Sequence, residues 1–249
     1  MVFKAAQLKI LILIKNLSNT EASIYEVLHS IFSKDEDSSF IRFELRRLEP
    51  IAEHRDYNGI RAKLVAHIKK TRTPFDVDMG VGDIIVPKPE IKSLPTQLKG
   101  FVSPNIYVYS LESTIAEKFD AIIMRLELTS RMKDYFDIYY LAITYPFDGR
   151  KLQEAIFQTL QKRGTPFDSS TLSEVSRFSE DPYMFAKWQH FIQNTLKYSV
   201  DFKEVIEIII KFVGPAFNSI IYETELLKEW NSETLCYEVY KSDADPTAE

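Results

Sequence analysis

Residues 59–69 read Gly59-Ile60-Arg61-Ala62-Lys63-Leu64-Val65-Ala66-His67-Ile68-Lys69, and a second run follows, Phe75-Asp76-Val77-Asp78-Met79. Both alternate. Ile60, Ala62, Leu64, Ala66 and Ile68 face one way and Arg61, Lys63, Val65, His67 and Lys69 the other, the period of a half-buried strand. Residues 39–49 alternate likewise, and Asp56-Tyr57-Asn58-Gly59 between the runs ends in Asn-Gly, which favours a tight hairpin. Gly80, Gly82 and Asp83 end the second run in a turn. Upstream, Leu8 to Lys15 places branched apolar residues between lysines, the pattern of a short buried strand. Ser18 and Glu21 form a capping box for a helix with Ile24, Val27, Leu28, Ile31 and Phe32 on one face. Hairpin-joined strands with one helix among them predict a mixed sheet, not a doubly wound parallel one.

Downstream, Pro87, Pro89, Pro95 and Pro104 predict a structureless crossing over 86–104, before a last short strand, Ile106 to Tyr109. Helices are predicted over 111–127, 131–144, 149–162, 182–197, 202–213 and 216–230, punctuated by Gly164-Thr165-Pro166 and Gly214-Pro215. The polar tail, 241–249, reads as disordered. The fold class is therefore α+β: a small mixed sheet (1–109) followed by a helical half (110–240).

Composition narrows the function. The 249 residues hold only 7 glycines, too few and too scattered for a GxGxxG or P-loop phosphate cradle. A net charge of −5 argues against a protein that acts mainly by coating nucleic acid. Cys236 is the only cysteine, which fits a reducing compartment, most simply the cytoplasm. The apolar run Ile10 to Ile14 is far short of a membrane span. His29, His54, His67 and His190 lack ligand spacing.

Three constellations carry charge where chemistry would use it. Asp76 and Asp78 share one strand face, which suits Mg²⁺ bound by carboxylates and substrate phosphates, or else a solvated outer face. In the helix from Leu111, Lys118 and Arg125 lie on one line at the margin of the stripe Ile115, Phe119, Ile122, Ile123; they either snorkel to water or meet phosphate. In Arg131-Met132-Lys133-Asp134-Tyr135-Phe136-Asp137, Lys133 and Asp137 stand i,i+4 on a largely apolar helix, where charges must be paired or used. The aromatics Tyr135, Phe136, Tyr139 and Tyr140 read as core rather than a stacking platform.

Together, Tyr57 to Arg61, Phe75 to Asp83, Val108 to Ala121 (with Ala116-Glu117-Lys118) and Ser130 to Asp137 resemble the AbiEii/AbiGii toxin family. These are nucleotidyltransferases of the DNA-polymerase-β-like superfamily, and the resemblance runs from about residue 9 to about 195. It implies a nucleotidyltransferase-type sheet and NMP transfer from an NTP, with Mg²⁺, to an RNA such as tRNA or to a protein. It also implies a toxin–antitoxin or abortive-infection setting with an antitoxin partner. By residue, it implies Asp78 as the third of the sheet carboxylates that hold Mg²⁺. Lys118 would be the active-site lysine on the nucleotide phosphates, with Arg125 nearby, and Lys133, Asp134 and Asp137 would close the nucleotide side.

The chain departs from the family at its start. The family's Gly-Gly-Ser/Thr element is missing, since no glycine precedes Gly59, and the first domain reads as N-terminally incomplete. If Lys15 to Asn19 keeps the family's register, the resemblance sets the Asp-x-Asp positions at Lys9 and Leu11. A Lys9 ammonium about 4 Å from a cation would cost roughly 4 kcal/mol at an effective dielectric near 20. The expectation is a weak or inactive nucleotidyltransferase; the alternative is a non-catalytic module (a pseudoenzyme), with Lys118, Arg125, Arg131 and Lys133 as an anion pocket.

Overall fold

A computed structural model describes residues 10–14, 20–34, 40–51, 59–81, 87–96, 99–125, 131–196 and 198–240; for β1 and for Lys34, Gly80, Val81 and Arg125 it describes the backbone only. The tail from 241, His54, Lys9 and the Ser18 cap therefore lie outside the described residues. The chain divides into two compact units, Met1–Asp83 and Ile84–Glu249.

The first unit holds β1 (Ile10–Ile14), α1 (Glu21–Lys34), β2 (Arg42–Pro50), β3 (Ile60–Ile68) and β4 (Thr71–Val81). The sheet order is β1-β4-β3-β2; β1 runs parallel to β4 and the other pairs are antiparallel. The sheet is mixed, as the hairpin patterning predicts. Ile24 and Leu28 of α1 bury against Ile60, Ala62, Leu64, Val77 and Met79, so the alternating residues reach the core as read. Thr20 caps α1, its Oγ1 accepting from the Ser23 amide at 3.2 Å. β4 begins earlier than the 75–79 run and includes Gly80. The turn before it is Lys69-Lys70, with Lys69 at φ 52°, a conformation that side chains other than glycine's seldom adopt.

The second unit opens with β5 (Glu90–Ser93) paired antiparallel to β6 (Asn105–Val108), so the proline-rich stretch is partly a hairpin, not a structureless crossing. Its prolines stand outside the paired residues, where no ladder N–H is lost. Next come α2 (Leu111–Arg125), α3 (Met132–Thr144), β7 (Phe147–Asp148), α4 (Gly149–Arg163), α5 (Thr171–Arg177), α6 (Pro182–Thr195) and α7 (Phe202–Ile221), then β8 (Glu229–Asn231) and β9 (Cys236–Glu238). The helical core is anchored by two fully buried tryptophans: Trp188 Nε1 donates to Val200 O at 2.8 Å, and Trp230 Nε1 to Ala142 O at 2.7 Å.

Two predicted features do not form here. Gly214-Pro215 does not break a helix. α7 runs through it because Phe212, Val213, Ala216 and Phe217 are all buried, and that packing outweighs the lost backbone bond and ring clash. The Tyr237 hydroxyl donates to Phe212 O at 2.8 Å on this same turn. Nor is 216–230 a helix beyond Ile221, since Glu229–Asn231 pairs with β7 and β9.

At the start of α4 the Gly149 amide donates to Lys228 O at 2.8 Å, and a Cβ on Gly149 would stand 2.6 Å from that oxygen. Gly149→Ala should cost about 1–3 kcal/mol, as overpacking does, read as a lower urea midpoint; an unchanged midpoint would contradict the close approach.

Candidate functional site

On β4 the core takes Val77 and Met79, so Asp76 and Asp78 share the opposite face. Abreast of Asp78 on β3 is Arg61. Its Nε donates to Asp78 Oδ1 at 2.6 Å and its Nη2 to Oδ2 at 2.9 Å, a bidentate pair of the strong, directional kind. The Asp78 side chain is 13% exposed and that of Arg61 29%. Hydrogen-bonded to Asp78 and close to Asp76, the guanidinium is held above its ordinary pKa. The pairing continues across this face: Lys63 Nζ stands 3.0 Å from Glu49 Oε1, and His67 Nε2 lies 2.8 Å from Glu44 Oε2. Hydrogen bonds to Lys63 and His67 hold the Glu49 and Glu44 carboxyls below their usual range.

On Asp78's other side the β1–β4 register sets Leu11 abreast of it. Leu11 is the position where the resemblance, in the register taken above, sets the second aspartate of the family's Asp-x-Asp. Among the described residues no group of three or more His, Cys, Asp or Glu side chains could hold a metal ion.

In the second unit the Ala-Glu-Lys stretch splits its duties between two sides of α2. Lys118 points toward α3, its Nζ 3.2 Å from Asp134 Oδ1 and 2.5 Å from Asp137 Oδ2. Lys133 Nζ meets that same Asp137 oxygen at 2.5 Å, realising the i,i+4 pair, and Arg131 Nε stands 2.8 Å from Asp134 Oδ2. Asp134 is nearly fully buried in the first turn of α3, where the helix dipole favours its charge. Among the described residues, three cations thus surround two carboxylates at an accessible rim: Lys133 is 66% exposed at its side chain and Lys118 19%. Arg125 is the last residue of α2, and its side chain lies outside those described.

Glu117 and Asp120 turn the other way. Arg163 at the end of α4 donates from Nη1 to Asp120 Oδ2 at 2.9 Å and places Nη2 3.4 Å from Glu117 Oε1. The hydroxyls of Thr165 and Tyr109 donate to Asp120 and Glu117. Gly164, at φ 61°, caps α4 in the left-handed conformation and lets both Arg163 and Thr165 reach Asp120. Sequence reading gave Arg61, Asp120 and Arg163 no role. Arg61 was findable, since it lies on the polar face of β3, and the pairing of β3 with β4 sets it beside a carboxylate. Arg163 was not, because 43 residues separate it from Asp120.

Of the aromatic quartet, Tyr135 is core, with no exposed surface, and its hydroxyl has no hydrogen-bond partner among the described residues. Burial raises its pKa far above the ordinary 10.0. The neutral form is thus favoured in the folded state. Tyr135's contribution to stability is therefore complete below pH 10 and is lost as pH rises above it, because the unfolded chain ionises first. Tyr135→Phe should be neutral or stabilising by about 1 kcal/mol and should blunt that alkaline loss. Thermal melts from pH 8 to 11 check both; clear destabilisation at neutral pH would reveal a partner for the hydroxyl.

The sequence profile described as nucleotidyl transferase AbiEii toxin, Type IV toxin–antitoxin system, matches residues 8–217. The chain belongs to this family, whose membership implies an NTP substrate and an antitoxin partner. Among solved structures, a proposed nucleotidyltransferase from H. pylori is 15% identical at a TM-score of 0.38, over 74% of this chain and 71% of that one. JHP933 from Helicobacter pylori is 13% identical at a TM-score of 0.39, over 88% and 82%. No curated protein matches the chain. No helix among the described residues is long and apolar enough to cross a membrane.

Proposed function

We propose that this chain is an AbiEii-family protein that keeps side chains suited to nucleotide phosphates but lacks the metal-binding half of the reaction. It would then transfer NMP from an NTP weakly or not at all. One observation carries this reading: both Asp78 oxygens are engaged by Arg61, while the residue abreast on β1 is Leu11. Mg²⁺ demands near-octahedral oxygen ligation. Asp78, already bonded to a guanidinium, and Asp76 beside it are a poor donor set for that ion. On the nucleotide side, Lys118 and Lys133 would contact phosphate. Asp134 and Asp137 would orient those ammonium groups, and Arg125 would stand further along α2.

Any residual transfer would go to RNA such as tRNA, or to a protein. The same engagement of Asp78 supports a non-catalytic role, in which the chain binds nucleotide or an antitoxin without turnover. Its setting would be a reducing cytoplasm. Titration with Mn²⁺, followed by electron paramagnetic resonance, tests the metal half. The expected result is no tight site in the wild type. A micromolar site abolished by Asp78→Ala would overturn the reading.

A further inference from the structure

One line of α3 carries Lys133, Phe136, Asp137 and Tyr140, which i,i+3 and i,i+4 spacing places side by side; Lys133 and Tyr140 are exposed, and Phe136 is partly buried against the core. At 1.5 Å per residue, Phe136 and Tyr140 stand about 4.5 and 10 Å along the axis from Lys133, the scale of the reach from a nucleotide's phosphates to its base. Phe136 stacks on Tyr140 with ring centroids 6.1 Å apart and planes 28° apart, and lies 6.4 Å from Tyr198. Tyr140 and Tyr198 remain 45% and 55% exposed. Of the quartet, Tyr140 is therefore not core, while Phe136 beneath it is partly buried against the helical core. The open rings of Tyr140 and Tyr198 adjoin the Lys118, Arg131 and Lys133 side chains, whose N–H groups are the donors a phosphate takes.

We infer that Phe136, Tyr140 and Tyr198 form a ledge on which the base of a nucleotide stacks while its phosphates meet Lys133, Lys118 and Arg131. The inference rests on the nucleotide-phosphate role proposed for Lys118, and it adds the half of the ligand that a cation cannot recognise. Every base has a π-face, so such a ledge discriminates weakly among bases. It separates a nucleotide from a bare polyphosphate.

Calorimetry on the full chain in Mg²⁺-free buffer, with ATP, CTP and inorganic tripolyphosphate, tests it. The wild type should bind both nucleotides about tenfold or more tighter than tripolyphosphate. Tyr140→Ala and Tyr198→Ala, at exposed positions, should lose that preference and leave tripolyphosphate binding unchanged; Tyr140→Trp should restore it. Equal wild-type affinity for nucleotide and tripolyphosphate, a preference that survives both alanine variants, or loss of both ligands together in Tyr140→Ala would overturn the ledge alone. Binding of neither ligand by the wild type would overturn the phosphate reading as well.

Discussion

Arg163→Met should lower the stability of the second unit by about 3–5 kcal/mol, the cost of removing one partner from a buried ion pair. Asp120 is 3% exposed at its side chain, and its two oxygens meet Arg163 and Thr165. Methionine keeps much of the arginine stem's volume, so the loss comes from stranding a carboxylate in the core rather than from opening a cavity. Asp120→Asn in the same chain removes the stranded charge and should recover a substantial part of the loss, giving a coupling of the kind that contacting residues show. Urea unfolding of the four members of the cycle measures it. Additive losses would mean that the pair does not form. The consequence reaches function because α2 is held on one side by this pair and presents Lys118 on the other.

Lys118→Met has the next largest effect. The ammonium bridges Asp134 and Asp137, so its loss leaves the partly exposed Asp137 and the buried Asp134 one positive partner short beside the place where phosphate is proposed to sit. A charge-assisted hydrogen bond is worth about 1.5–3 kcal/mol, so nucleotide affinity should fall roughly 10- to 150-fold. Arg131 and Lys133 still partner the two acids, so folding should survive. Calorimetry with ATP reads the affinity. Wild-type binding in the variant would remove Lys118 from the nucleotide site.

Much of this was legible in the sequence, for identifiable reasons. Alternation in Ile60 to Ile68 and Phe75 to Met79 assigned faces correctly because one side of the sheet is buried under α1 and the other is not. The Lys133–Asp137 pair followed from helical spacing alone. The errors cluster where tertiary contacts overrule local chemistry. Pro215 stays inside α7 because the helix around it is buried, and Glu90–Ser93 becomes a strand only by pairing with residues some fifteen positions later. Tyr140 was misjudged because composition cannot say which side of an aromatic helix meets the core. Asp78 was legible as a carboxylate on the polar face, but its partner Arg61 lies across the sheet, and only strand pairing shows the ion pair they make.

The most direct measurement is transfer itself: the chain incubated with each labelled NTP, Mg²⁺ and tRNA, beside Asp78→Ala. The expected result is labelling of tRNA and protein at or near background, with no further drop in the variant. Strong Mg²⁺-dependent labelling that Asp78→Ala abolishes would contradict the account, because the carboxylate that Arg61 holds would then be serving the metal.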